Sequence, residues 1–177
     1  MKITPAKING MFYIDLEPRF DDRGYFSRAF CVDDLSKAGI DFQIVQINQA
    51  MTRPKHVIRG LHWQAAPDEE AKIFQCLMGK IVDVVADVRK DSPTYGQWEG
   101  VELAGDSYRI LYIPGGVAHG YETLEENCLV QYSVSHRYSP QSEKGIRWND
   151  PFFKIAWPAP PVFLSPKDSG FPDFVHA

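Results

Sequence analysis

Between Lys72 and Arg89 the chain runs through two apolar, β-branched stretches separated only by Met78-Gly79-Lys80. Runs this short, bounded by a glycine, read as strands, and their spacing predicts a hairpin. The same signature returns at Tyr108 to Ile113 and at Cys128 to Tyr138. Turn formers at Asp91-Ser92-Pro93, Pro114-Gly115-Gly116 and Glu126-Asn127 punctuate the intervals. Many short strands with turns between them define an all-β chain, a jelly-roll sandwich or barrel. One short helix is expected from Val32 to Ala38, where Val32, Leu35 and Ala38 recur at helical spacing before Gly39.

With 177 residues the chain is read as a single domain spanning 1–177. Trp157-Pro158-Ala159-Pro160-Pro161 suits neither a helix nor a central strand, so residues 157–177 are expected to form an extended arm on the barrel. A net charge of -4 without long single-sign runs points away from nucleic acid and from anionic membranes. An anionic ligand must then be held by a few local Arg and Lys side chains. No signal-peptide core follows Met1 and no apolar run reaches membrane-spanning length, so a cytoplasmic address is expected. Cys31, Cys76 and Cys128 are odd in number and widely spaced, which predicts buried free thiols.

Two segments carry candidate chemistry. Arg59-Gly60-Leu61-His62-Trp63-Gln64 ends a β-like run that begins near Ile44. Arg59 and His62 would face opposite sides of a regular strand, but a bulge at Gly60 would turn both into one cavity. From this segment alone, a surface arginine with a core histidine is an equal reading. Pro114 to His119 matches the Pro-x-Gly-x-x-His second motif of cupins and makes the expected jelly roll cupin-like. A cupin metal site uses a His-x-His pair, and here Gln64 takes the place of the second imidazole. His62, His119 and Glu69 would still make a 2-His-1-carboxylate set for an iron oxygenase. A neutral amide is a poor ligand, however, and Glu69 lies in the charged stretch Pro67-Asp68-Glu69-Glu70, which reads as solvated.

Several further segments occur in a recognisable order: Phe20 to Phe26, Val57 to His62, Ala71-Lys72, Val84 to Gly96, Ala118-His119-Gly120, Gly145 to Asp150 and Leu164 to Asp168. Together they cover almost the whole chain, which resembles the dTDP-4-dehydrorhamnose 3,5-epimerase family. The resemblance implies a homodimeric jelly roll with no metal or organic cofactor. It implies a nucleotide-diphosphate sugar substrate, a 4-keto-6-deoxyhexose inverted at C3 and C5 on the way to rhamnose for cell-surface polysaccharide. It assigns His62 as base, Tyr132 as acid on the opposite face of the sugar and Asp168 as the group that orients His62. Lys72 and His119 are placed at the sugar. Arg59 holds the diphosphate, with Arg23 reaching across from the partner subunit. Gln46, Asn48, Tyr138, Glu143 and Lys167 fall on binding positions. Relatives that invert one carbon or use another nucleotide remain the alternative within the class.

Elementary chemistry makes these residue types suitable. A 4-keto group acidifies both neighbouring C–H bonds, and a neutral imidazole can remove such a proton if the enolate is stabilised. An ammonium near the ketone oxygen supplies that stabilisation. A carboxylate behind the imidazole fixes its tautomer, and guanidinium forks suit a diphosphate. Taken singly, Asp168 reads equally well as a turn cap, Tyr132 as barrel core, and Lys72 and Arg23 as solvated charges. Two positions depart from the family pattern: Arg28 stands in place of a glutamate at the substrate end, and Ile47 in place of an aspartate between Gln46 and Asn48.

Overall fold

The computed structural model describes residues 1–175, and among these the strands sort into two stacked antiparallel sheets and a separate hairpin. The first sheet runs β1 (Lys2–Pro5), β2 (Phe12–Asp15), β10 (Arg109–Ile113), β7 (Lys72–Met78), β12 (Cys128–Val134), β5 (Gln46–Thr52). The second runs β13 (Glu143–Gly145), β6 (Ile58–Gln64), β11 (Ala118–Thr123), β8 (Lys80–Ala86), β9 (Trp98–Ala104). Strands β3 (Arg19–Asp21) and β4 (Gly24–Phe26) pair only with each other. This is the expected jelly roll.

The expected hairpin at 72–89 is not one. β7 pairs β10 and β12, whereas β8 pairs β11 and β9, so the chain crosses from one sheet to the other at Gly79. Gly79 has φ 76°, and a Cβ there would come within 2.8 Å of the Cys128 sulfur. A glycine corner between sheets and a glycine hairpin turn look alike in sequence. The difference lies in burial: both strands bury successive residues, as strands of a covered sandwich do. The run expected from Ile44 likewise divides into β5 and β6, in different sheets, around Arg53 to Val57. Tyr108 takes positive φ as a turn residue, and the strand from Cys128 stops at Val134 rather than Tyr138.

Between the sheets lies a core that includes Met11, Phe74, Ile81, Val85, Leu103, Leu111 and Val130. Each such side chain contributes about 1.5–3 kcal/mol by leaving water. The outer face of the first sheet is covered around Ile14, Ile73 and Ile110 by α1 (Val32–Lys37), through Leu35, and by Ile40 and Phe42. Leu61, Val84 and Ala118 on the second sheet are covered by Ile146, Phe153 and Ile155. Cys76 and Cys128 are buried free thiols as expected, but Cys31, which precedes α1, is only half-buried. On one side the sandwich is closed by the Tyr13 hydroxyl of β2, which donates to the Glu99 carboxylate of β9. On the β5 and β13 side the interior is a cavity.

The arm reaches that cavity. Trp157 donates its indole N–H to the Trp148 carbonyl at 2.7 Å, Val162 N–H bonds the His56 carbonyl at 2.8 Å, and Phe163 bridges Val57 in parallel. The chain then forms α2 (Pro166–Ser169), with the Ser165 hydroxyl capping it by accepting from the Asp168 N–H. His176 and Ala177, the end of the expected arm, lie outside the described residues. No helix among the described residues is long and apolar enough to cross a membrane.

Candidate active site

The cavity has a volume of about 680 Å³, and Phe74 belongs both to its lining and to the core. Its polar lining is set by strand register. β12 sends Val130 into the core and Tyr132, two residues on, into the cavity; β7 sends Cys76 into the core and Lys72 into the cavity. The opposite wall is the second sheet, where His62 on β6 stands directly across from His119 on β11.

Arg59 and His62 do share the cavity, by the expected bulge. His119 is opposite His62 and Tyr121 is opposite Arg59, so β6 spends three residues where β11 spends two. Gly60 is required there. Its φ is 120°, and a Cβ would lie 2.6 Å from the Gly120 Cα and 2.7 Å from the His119 carbonyl oxygen.

Each cavity histidine has its own carboxylate. His62 Nε2 lies 2.5 Å from Asp168 Oδ1, and the other Asp168 oxygen accepts from the Ser165 hydroxyl at 2.8 Å. Ser165 caps α2, which frees the Asp168 carboxylate to face the imidazole and removes the turn-cap reading of Asp168. Burial pushes the Asp168 carboxyl up, but the His62 contact, the Ser165 hydroxyl and the Lys167 charge together bring it below the ordinary carboxylate range. His119 Nε2 lies 2.7 Å from Asp83 Oδ2, with Asp83 fully buried and its other oxygen unpartnered. Both rings stand edge-on to an aromatic neighbour, His119 to Phe74 and His62 to Phe171.

Tyr132 faces the histidines from the first sheet, nearly parallel to Phe74. Burial raises its phenol pKa, the Glu70 charge raises it further and Arg59 opposes both. The Lys72 ammonium pairs with Glu70 at 2.8 Å. Glu70 therefore corrects the reading of 67–70 as a solvated cluster: it is a cavity residue. Glu69 is exposed and outside the lining, so the His62, His119 and Glu69 ligand set is not assembled. Gln64 is absorbed in structure, its amide donating to the Asp68 and Arg137 carbonyls and accepting from Ser139 N–H. Among the described residues, no three His, Cys, Asp or Glu side chains converge as metal ligands.

At the rim, Glu143 accepts from the Tyr138 hydroxyl at 2.9 Å and from the Lys167 ammonium. Burial raises the Glu143 carboxyl, and these two partners outweigh it to leave it low. Arg59 Nε bonds the Thr52 hydroxyl at 2.9 Å, which leaves part of its fork for an anion, and Arg53 stands nearby on the lining. Gln46 and Asn48 bond each other along β5, on the face where Ala50 and Thr52 line the cavity, yet they lie beyond its lining. Ile47 points to the other face and is 55% exposed, so that departure leaves this chain's cavity untouched. Arg23 pairs with Asp21 on the protruding β3–β4 hairpin, and Arg28 with Asp34 of α1; neither lines the cavity. Sequence reasoning missed Asp83, Glu70, Arg53 and Phe163. The signal for Asp83 was a single carboxylate inside Ile81-Val82-Asp83-Val84-Val85.

A jelly roll with these groups on both walls of one cavity is a cupin-type protein equipped for proton transfer. The family model for dTDP-4-dehydrorhamnose 3,5-epimerase matches residues 5–176. The chain is 39% identical over 178 residues to the dTDP-4-dehydrorhamnose 3,5-epimerase of Shigella flexneri, covering 100% of this chain and 98% of that protein. It is 36% identical over 169 residues to a dTDP-4-dehydrorhamnose 3-epimerase of Streptomyces niveus, covering 95% of this chain and 81% of that one. The crystal structure of the Bacillus anthracis dTDP-4-dehydrorhamnose 3,5-epimerase with TDP and PPi bound superposes with a TM-score of 0.94 at 36% identity, over 98% of this chain and 99% of that one. The chain belongs to the dTDP-4-dehydrorhamnose 3,5-epimerase family, and it is an isomerase.

Proposed function

We propose that this isomerase inverts C3 and C5 of dTDP-4-dehydro-6-deoxy-D-glucose to give dTDP-4-dehydro-L-rhamnose, with no metal or organic cofactor. The observation that carries the reading is the His62–Asp168 pair on one wall of the cavity with Tyr132 on the other. His62, as neutral imidazole, takes the proton from the carbon beside the ketone. The C–H electron pair becomes the C=C bond of an enolate and the carbonyl pair moves to O4, near Lys72. Asp168 holds the imidazolium. Tyr132 then gives its hydroxyl proton to the opposite face of that carbon and the carbonyl re-forms. Solvent restores the proton to Tyr132 and removes it from His62. The Arg59 and Arg53 end of the cavity suits the diphosphate, and the Tyr138, Glu143 and Lys167 rim suits the nucleotide.

Proton NMR of the 4-keto substrate with the enzyme in deuterated water tests this. Deuterium and inversion at both C3 and C5 are expected. Inversion at C3 alone would assign the chain to the single-carbon alternative, and no exchange at either carbon would end the epimerase reading.

The functional unit is a homodimer in this reading, because Arg23 and the exposed Phe20 and Phe26 on the protruding β3–β4 hairpin lie outside the lining of their own chain's cavity. Light scattering is expected to give a dimer, and a fully active monomer would overturn it. A cytoplasmic address fits the three free thiols.

A further inference from the structure

Glu70 is held in the cavity by more than its own charge. The Ala71 N–H donates to the Ser135 hydroxyl at 2.8 Å and the Ala71 carbonyl accepts from Ser135 N–H at 3.0 Å, so the backbone is clamped on both sides just before β7 begins. Two residues apart, Glu70 and Lys72 both line the cavity and meet at 2.8 Å, with side chains 14% and 11% exposed. Water screens such a pair little, and each charge would be costly to leave alone.

We propose that Glu70 is a positioning residue of this site, fixing the Lys72 ammonium on the cavity wall that Lys72 shares with Tyr132. The inference deepens the epimerase reading above and rests on it for its kinetic consequence. Lysine is a flexible point charge, and an ammonium stabilises a developing enolate only where it is already in place. A consequence for Tyr132 follows from what else surrounds it. Lys72 shares its sheet, Arg59 and His62 face it from β6, His119 and Tyr121 from β11 and Asp168 from α2, with Arg53, Tyr138, Glu143 and Lys167 also on the lining. His62 and His119 are each matched to a carboxylate, and Lys72 to Glu70. Arg59, which favours the phenolate, has no carboxylate partner of its own among the described residues. Burial raises the Tyr132 pKa, and Glu70 adds to that rise against Arg59.

The test compares wild type, Glu70→Gln and Glu70→Asp. In the substrate-free dimer, tyrosine-labelled carbon NMR follows the titration of Tyr132, assigned by its loss in Tyr132→Phe. The Tyr132 midpoint is expected at lower pH in Glu70→Gln and near the wild-type value in Glu70→Asp. An unmoved midpoint in Glu70→Gln overturns the inference whether or not the protein inverts any sugar, and absence of inversion in wild type defeats only the epimerase reading. In turnover, Glu70→Gln is expected to lose about tenfold or more in kcat with KM changed by less than about threefold. Its alkaline limb for inversion should move to lower pH. Glu70→Asp, which keeps the charge and shortens the reach to Lys72, should lose kcat with the limb in place. A residue that merely braces the loop would lower the melting temperature of both variants and leave limb and midpoint alone, which overturns the proposal. Should Glu70→Gln fail to fold, a displaced limb in Glu70→Asp overturns it by itself.

Discussion

The cavity contains the same chemical pair twice, and the two copies are built differently. His119 and Asp83 sit on neighbouring strands of one sheet, 8% and 0% exposed in their side chains. His62 belongs to that sheet too, but its carboxylate arrives on the arm, 106 residues away in sequence, and its side chain is 32% exposed. A histidine sealed between strands can point, pack and donate. A histidine open to the cavity can also exchange its proton with a substrate, and holding its carboxylate on a separate element lets the imidazole be braced without being enclosed. In the proposed mechanism, contact distance, nearly equal in the two pairs, does not select the base. Access does.

The largest effect expected separates the two histidines. His62→Ala should abolish both solvent hydrogen exchange and inversion, whereas His119→Ala should leave measurable exchange, as read by NMR in deuterated water. Full loss of exchange in His119→Ala with exchange persisting in His62→Ala would reverse the assignment. Across the cavity, Tyr132→Phe removes one hydroxyl and keeps the ring on Phe74. Exchange should outlast inversion, since His62 can return a proton to the face it came from. Full epimerisation by this variant would strip Tyr132 of its role, and loss of both activities would call for a folding check before it is read as chemistry.

The two carboxylates should divide more finely. Asp168→Asn is expected to lower kcat by about two to four orders of magnitude with KM little changed, because the asparagine holds the wrong tautomer. Asp83→Asn should act on stability, lowering the unfolding free energy by about 1–3 kcal/mol through its buried, half-satisfied group. Equal turnover losses in the two variants would dissolve the distinction. The smallest effect is a pH dependence. The Asp168 carboxyl is lower in the folded state than in the unfolded chain, so its stabilising contribution is complete above about pH 4 and fades as pH falls through the lowered value. Denaturant midpoints of wild type and Asp168→Asn should therefore converge on acidification, and a constant gap would contradict the shift.

The strands, the short helix and the jelly-roll class were legible because apolar runs and turn residues are local signals. The hairpin at 72–89 was misread because Gly79 serves a corner as well as it serves a turn, and the burial of successive residues in both strands distinguishes the two. His62 and Arg59 could be brought together on paper because Gly60 advertises a bulge. Asp83 and Glu70 were missed for opposite reasons: one is a lone charge in a strand whose partner is assigned by register, the other a charge in a polar loop that folds inward. For Arg23 and Arg28 nothing in a single chain supplies the destination of an exposed cation on a protruding segment.

The arm that carries Asp168 has a consequence for how activity appears in time. A barrel can form its strand ladders and fill its core before α2 docks, yet His62 has no carboxylate until the chain has closed a loop of 106 residues. In a refolding experiment, amide-hydrogen protection in β7, β8 and β12 reports the closing core and catalytic turnover reports the arrival of the arm. The second signal cannot run ahead of the first, and the lag between them measures the docking of some twenty residues onto a finished scaffold.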